Sequence, residues 1–114
     1  MPKSTLEAVL TALADPTRRR ALQLLDGTEE LCVCDLMEAL DASQSRMSRH
    51  MATLKEAGLV LDRRDAQWVR YRLNPNMSAA IGAVVKSVMA ASRLEKQPRS
   101  VRNASRRLRE RATA

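Results

Sequence analysis

Two cysteines stand one residue apart in the run Glu30-Leu31-Cys32-Val33-Cys34-Asp35-Leu36, and the chain has no others. Thiolates are soft donors, so Cys32 and Cys34 suit a soft ion. About ten residues later comes Ser43-Gln44-Ser45-Arg46-Met47-Ser48-Arg49-His50. Its side chains are the hydrogen-bonding types that read base edges in the major groove. Soft donors placed this near a DNA-reading surface imply a switch, in which ligand binding at the pair alters DNA binding.

Positions i and i+2 of a formed helix point about 200° apart. If both cysteines are helical, the sulfurs diverge, and gripping one ion requires the first turn to unwind. Acidic neighbours Glu29, Glu30 and Asp35 oppose thiolate formation, whereas a helix N-terminus favours it; the sequence leaves that balance open. Two other roles also stay open: a pair of small buried hydrophobes and a redox switch through a disulfide.

The elements that must position these residues can be read from periodicity. Leu6, Val9, Leu10 and Leu13 share one helical face, with Ser4 as N-cap and Glu7 completing a capping box. Asp15-Pro16 restarts the chain, Asp capping and Pro at the first helical position. The second helix is expected from Pro16 to Asp26, stopped by Gly27. Arg18, Arg19 and Arg20 near its start suit a solvated or salt-bridged face, or a phosphate contact. A third helix is expected over Val33 to Leu40. A fourth, capped by Ser43 or Ser45, runs to Ala57-Gly58 with Met47, Met51 and Leu54 inward. Two short helices joined by a tight turn form the helix-turn-helix pattern. Its second helix enters the major groove by its N-terminal part, which puts Gln44, Ser45, Arg46, Ser48 and Arg49 at base edges and leaves His50 to donate to a phosphate.

The period then changes. Leu59–Arg64 and Trp68–Leu73 read as two strands around an Asp65-Ala66-Gln67 tip. This hairpin is a wing that offers Arg63, Arg64, Arg70 and Arg72 to phosphate or minor groove. Met77, Ile81, Val84, Val85 and Val88 mark a last long helix. Its apolar stripe is broader than a lone surface helix needs, and with the first helix it is the expected dimer surface.

Composition agrees with this reading. Of the 114 residues, 45% are apolar but only 2% aromatic, and three are Gly, which favours a helical core of Leu, Val, Met and Ala. A helical domain this small often completes its core by dimerising. The net charge is +7. Met1 to Val85 holds eleven basic and eleven acidic residues, so the whole excess lies from Lys86 onward. A basic tail suits nucleic acid or an anionic surface, or is a solvated tail that aids solubility. In it Val101, Ala104 and Leu108 could support weak helicity, with Arg99, Arg102, Arg106 and Arg109 on one stripe; disorder or fraying is expected without DNA. The N-terminus lacks the apolar core of a signal peptide, and no apolar run approaches a membrane span. A cytoplasmic setting with reduced thiols and no membrane partner follows as an expectation. One His, no Gly-rich phosphate loop and no paired acid and base argue against an enzyme.

The cysteine run resembles the metalloid-binding box of the ArsR (ArsR/SmtB) family of winged-helix repressors. Ser48-Arg49-His50, Leu54-Lys55-Glu56-Ala57-Gly58-Leu59, Asp62-Arg63-Arg64 and Trp68-Val69-Arg70-Tyr71-Arg72-Leu73 are similar to the family's recognition helix and wing. Asp15-Pro16-Thr17-Arg18-Arg19 resembles its second-helix start. The likeness covers about Leu6 to Pro75. It implies a dimeric repressor of an arsenic-resistance operon, released by arsenite or antimonite at Cys32 and Cys34.

Two departures matter. Arsenite-responsive members often carry a third cysteine one turn after the pair, and here that position is Met37. The third position on As(III) then falls to water, a small thiol or another group, or the inducer needs only two thiolates, as methylarsenite does. Ala66 stands where the wing tip often has Gly, and a positive φ would strain it, so a different turn is expected. The family's zinc and nickel sensors use Asp, His and Glu on the last helix; from Pro75 onward there is neither His nor Asp, so zinc sensing is not expected. Cadmium or lead at the pair remains open, as does a non-sensing DNA-binding protein.

The expectation is therefore a mainly α fold with a small β-hairpin, a dimeric winged helix-turn-helix. Residues 1–94 form the DNA-binding and dimerisation domain and 95–114 a basic, flexible tail. Its partners are operator DNA, a second copy and a trivalent metalloid such as As(III) or Sb(III), with no prosthetic group.

Overall fold

The computed structural model describes residues 5–96 and, beyond them, 99, 102, 103, 106–108 and 110. Helix α1 is Leu6–Leu13 and helix α2 is Pro16–Asp26. Thr5 caps α1, its side chain accepting from the Ala8 N–H at 3.1 Å; Ser4, the expected cap, lies outside the described residues. Asp15 caps α2 as expected, accepting from the N–H groups of Thr17 and Arg18 at 2.8 and 3.1 Å. Burial alone would raise the Asp15 pKa; the backbone N–H of Arg18, the His50 and Arg18 charges and the Thr17 N–H outweigh it and hold the carboxyl below its ordinary value.

A two-residue strand β1, Leu31–Cys32, precedes α3, Val33–Leu40, which Asp41 ends in the left-handed region at φ 52°. Helix α4 is Gln44–Glu56, capped by Ser43. Strands β2, Val60–Asp65, and β3, Trp68–Leu73, form the hairpin, and α5 is Ala79–Arg93. The sheet has three strands in the order β1-β3-β2, not the two expected, and β3 is central. Leu31 pairs with Tyr71 and Cys32 with Arg70. The expected strand start at Leu59 moves to Val60. At the hairpin tip Ala66 adopts φ 57°. The turn therefore keeps its positive φ despite lacking Gly, a correction to the expected alternative turn, and Ala carries the strain of the left-handed region.

The core lies between α2, α3 and α4. Leu22, Leu25, Leu36, Met47, Met51 and Leu54 are fully buried in it, with Val9 of α1 and Leu59 and Val60 at the foot of the wing. Helix α3 packs against α2, α4 and β3. On α1, Val9 and Leu13 turn inward, but Leu6 and Leu10 are 56% and 51% exposed; the four-residue apolar stripe is thus only half used within this chain. Among the described residues no helix is long and apolar enough to cross a membrane.

Of the α2 arginines, Arg19 is salt-bridged to Glu95, one of the expected roles, and Arg18 and Arg19 both turn back onto the end of α1. Arg18 donates to the carbonyls of Ala12 and Thr11 at 2.7 and 3.1 Å, and Arg19 donates to Leu13 O, Ser92 Oγ and Glu95. They satisfy the last carbonyls of α1, which a helix end otherwise leaves without partners. Of the basic tail, Leu108 is buried while Arg99, Arg102, Arg106 and Arg107 are exposed. Val101, Ala104 and Arg109 lie outside the described residues.

Candidate functional site

Cys32 is the last residue of β1 and the N-cap of α3, with extended φ −70° and ψ 150°. Only Cys34 is inside the helix. This corrects the expected divergence of the sulfurs, because the 200° relation holds only when both residues are helical. Here Cys32 Sγ turns over the first turn of α3. It accepts from the Cys34 N–H at 3.4 Å and from the Cys34 thiol at 2.7 Å. Two thiolates sharing one ion through bonds of about 2.3 Å lie less than about 4.6 Å apart, so the sulfurs already converge closely enough. Asp35 closes the cap from the other side, accepting from the Cys32 N–H at 3.1 Å.

The electrostatics keep a proton on Cys34. Its thiol is pushed above the ordinary cysteine value, first by donating to Cys32 and then by desolvation, with the Cys32 and Asp35 charges adding to both. The balance left open by the sequence thus tips toward the neutral thiol at Cys34. Cys32 is buried and Cys34 exposed, so an ion would enter from the Cys34 side. Among the described residues no group of three or more Cys, His, Asp and Glu side chains converges to hold a metal ion, and the protein's own donors at this site are two sulfurs.

The pair is wired to the wing in two ways. Through β1 it belongs to the wing's sheet. Glu30, one residue before β1, accepts two hydrogen bonds from Arg63 of β2, both 2.8 Å. The Arg63 hydrogen bonds, helped by the charges of Arg63, Arg70 and Arg72, hold the Glu30 carboxyl below its ordinary value against desolvation. Sequence reasoning missed β1 because two residues show no periodicity, and it missed the Glu30–Arg63 pair because their separation in the chain gives no local signal.

Helix α4 presents Gln44, Ser45, Arg46, Ser48 and Arg49, the expected base-reading residues, to solvent, while Met47, Met51 and Leu54 are buried beneath them. Ser43 fixes the entry, accepting from the Arg46 N–H at 3.2 Å. His50 is half-buried. Its Nδ1 accepts from the Arg18 guanidinium at 3.2 Å, so in the neutral ring the proton sits on Nε2. Desolvation lowers the His50 pKa; the Asp15 charge opposes this, and Arg18, Arg46 and Arg49 reinforce it. His50 therefore ties the reader to α2, a positioning contact absent from the sequence reading.

On the wing, Arg63, Arg64 and Arg72 are exposed and Arg70 is half-buried. Arg63 is held by Glu30, and Arg70 by Asp65 at 2.9 Å. Among the described residues no ion pair engages Arg64 or Arg72. The structure thus gathers the expected DNA-facing residues on α4 and the hairpin, with two of the four wing arginines already paired.

With this geometry in place, the chain can be compared with known proteins. Residues 15–61 match the model of the family described as bacterial regulatory protein, arsR family. Over 94 residues the chain is 46% identical to the arsenical resistance operon repressor of Escherichia coli, a match that spans 82% of this chain and 80% of that protein. It is 45% identical to an arsenic resistance transcriptional regulator of Pseudomonas putida, also over 94 residues, spanning 82% of this chain and 73% of that protein. Among solved structures, HlyU from Vibrio cholerae superposes with a TM-score of 0.62 at 36% identity, covering 75% of this chain and 89% of that one. The antimony-specific repressor AntR has a similar fold, with a TM-score of 0.61 at 21% identity, covering 75% of each chain.

Proposed function

The chain belongs to the ArsR family of bacterial regulatory proteins, and from that premise we propose that it represses an arsenic-resistance operon and leaves its operator when a trivalent metalloid binds Cys32 and Cys34. As a family member it is a winged-helix transcriptional regulator and not an enzyme. The observation that carries the proposal is the 2.7 Å approach of the two sulfurs at the junction of the wing strand β1 and helix α3.

DNA is held by a homodimer on a two-fold operator. Gln44, Ser45, Arg46, Ser48 and Arg49 read bases, and Arg63, Arg64, Arg70 and Arg72 reach phosphate or minor groove. His50 positions the reader through Arg18. The apolar faces of α1 and α5 supply the dimer surface, and the exposed Leu6 and Leu10 support that reading.

Release follows from the double role of Cys32. Arsenite is a neutral trihydroxide in water. When two thiols replace two hydroxides, two As–S bonds form, two As–O bonds break, and the thiol protons leave with the hydroxides as two waters. Cys32 Sγ then bonds to arsenic instead of accepting from the Cys34 thiol and N–H. Losing an N-cap costs about 1 kcal/mol, and a binding switch works with coupling of about 1–3 kcal/mol. Helix α3 packs on α4 and β1 pairs with β3, so a shift at Cys32 reaches reader and wing together.

The lack of a third converging donor among the described residues supports a second reading of the ligand. Methylarsenite, already carrying one carbon substituent, needs only two thiolates, whereas arsenite keeps a hydroxide or takes an outside thiol. Fluorescence anisotropy on the chain's own upstream DNA, titrated with arsenite, methylarsenite, antimonite, cadmium and zinc, tests both. Release by a trivalent metalloid supports the function, and the order of the two arsenicals decides the ligand. Tight binding that no soft ion disturbs overturns the sensor role and leaves a plain DNA-binding protein.

A further inference from the structure

Beside the cysteine strand lies a cleft of about 590 Å³, lined by Glu29, Glu30, Leu31, Asp35 and Arg70 on one side and by Leu108 on the other. Leu108 comes from the far end of the chain, in a segment whose described neighbours Arg106 and Arg107 are exposed. Yet Leu108 is only 8% exposed and lines the cleft together with Leu31. An apolar side chain in a basic segment reaches that state only where it has a seat. The wall carries three carboxylates, Glu29, Glu30 and Asp35, against one arginine, Arg70, which suits a neighbour flanked by Arg106 and Arg107. Asp35 takes part in both structures, lining the cleft and closing the cap on the Cys32 N–H.

We propose that Leu108 is an intramolecular partner of the cysteine strand, and that its seating is coupled to occupancy of the Cys32–Cys34 pair. The seat stands on the packing alone; the coupling rests on the sensor reading above. The cleft wall and the Cys32 cap share Asp35, and Leu31 of the wall precedes Cys32 in β1, so a ligand that pulls Cys32 out of its cap disturbs the wall against which Leu108 rests. Coupling of this kind is reciprocal. Unseating Leu108 loosens the strand and favours the ligand, and binding the ligand unseats Leu108. Residues 95–114 hold seven basic and two acidic residues, so this ties most of the net positive charge of the chain to the state of the sensor.

Hydrogen exchange on the full-length protein tests the seat. In Leu108→Asp the amides of residues 28–36 should exchange at least threefold faster, with a smaller increase in Leu108→Ala, while those of Met47–Leu54 keep their rate and report an intact core. Unchanged rates at 28–36 overturn the proposal. If Leu108→Asp also loosens α4, Leu108→Ala decides by the same comparison. Cadmium and arsenite titrations then test the coupling: Leu108→Asp should bind either at least threefold more tightly than the parent, and equal affinity overturns it. Failure of both ions to bind the parent protein sinks the sensor reading and with it the coupling, while the exchange comparison still decides the seat.

Discussion

Cys32 stands directly across from Arg70 in the antiparallel pairing of β1 and β3. The first cysteine is therefore a strand residue of the wing and the cap of α3 at once. Arg70 in turn holds Asp65 beside the hairpin tip at 2.9 Å. A displacement of Cys32 can thus reach the wing through the sheet as well as α4 through α3.

This double role separates the two serine variants. Serine is a strong N-cap, so Cys32→Ser should match or exceed the parent in stability, by up to about 1 kcal/mol, in chemical denaturation. Cys34→Ser removes the thiol that donates to Cys32 and should leave stability nearly unchanged. Both should bind operator DNA within about twofold of the parent and neither should be released by arsenite. Normal release from either variant would show that the pair is not the sensor.

Ligand chemistry predicts two different pH profiles. Cadmium arrives as a bare cation and must expel thiol protons into solvent, so its affinity should rise with pH below the thiol range, as metal binding to protonated ligands requires. Because the Cys34 value is raised, that rise should continue above the pH at which an ordinary cysteine has ionised. Arsenite carries its own hydroxides and gives up water, so its affinity should stay nearly flat for as long as the thiols are protonated. Isothermal titration in buffers of different ionisation heat counts the protons; equal proton release for the two ligands would contradict the exchange written above.

If Arg63 reaches DNA as proposed, its pairing with Glu30 competes with that contact. Glu30→Gln should free Arg63, strengthen operator binding and steepen the dependence of log K on log salt by about one. Anisotropy titrations at several salt concentrations read both. An unchanged slope would mean that Arg63 contacts no phosphate, or contacts it equally well while paired.

Asp15 and Arg18 should act as a structural unit behind the reader. Asp15→Ala removes the α2 cap and should cost about 1 kcal/mol. Since the folded Asp15 pKa lies below its unfolded value, the stability it adds is present above the ordinary aspartate value and is lost as pH falls through the folded one. The gap between parent and variant in urea melts should therefore shrink in acid. Arg18→Ala removes charge-assisted bonds to Ala12, Thr11 and His50, each worth about 1.5–3 kcal/mol at most, and should weaken DNA binding of every sequence alike. A variant that alters base preference instead would place Arg18 at the DNA.

Local signals in the sequence determined most of the frame. Asp15-Pro16, Ser43 and the spacing of Met47, Met51 and Leu54 dictate where α2 and α4 begin and which way they face, because caps and helical periodicity act over a few residues. The alternation through Val69, Tyr71 and Leu73 is enough for the wing, and the cysteine spacing is enough to suggest a soft ligand. Tertiary structure decided the rest. Leu31–Cys32 becomes a strand only because β3 offers it an edge, and that pairing takes Cys32 out of the helix and turns its sulfur toward Cys34. The Glu30–Arg63 and Arg18–His50 contacts and the seat of Leu108 join residues far apart in the chain. No local propensity encodes such contacts; they exist because packing α2, α3 and α4 around one core brings those side chains within reach.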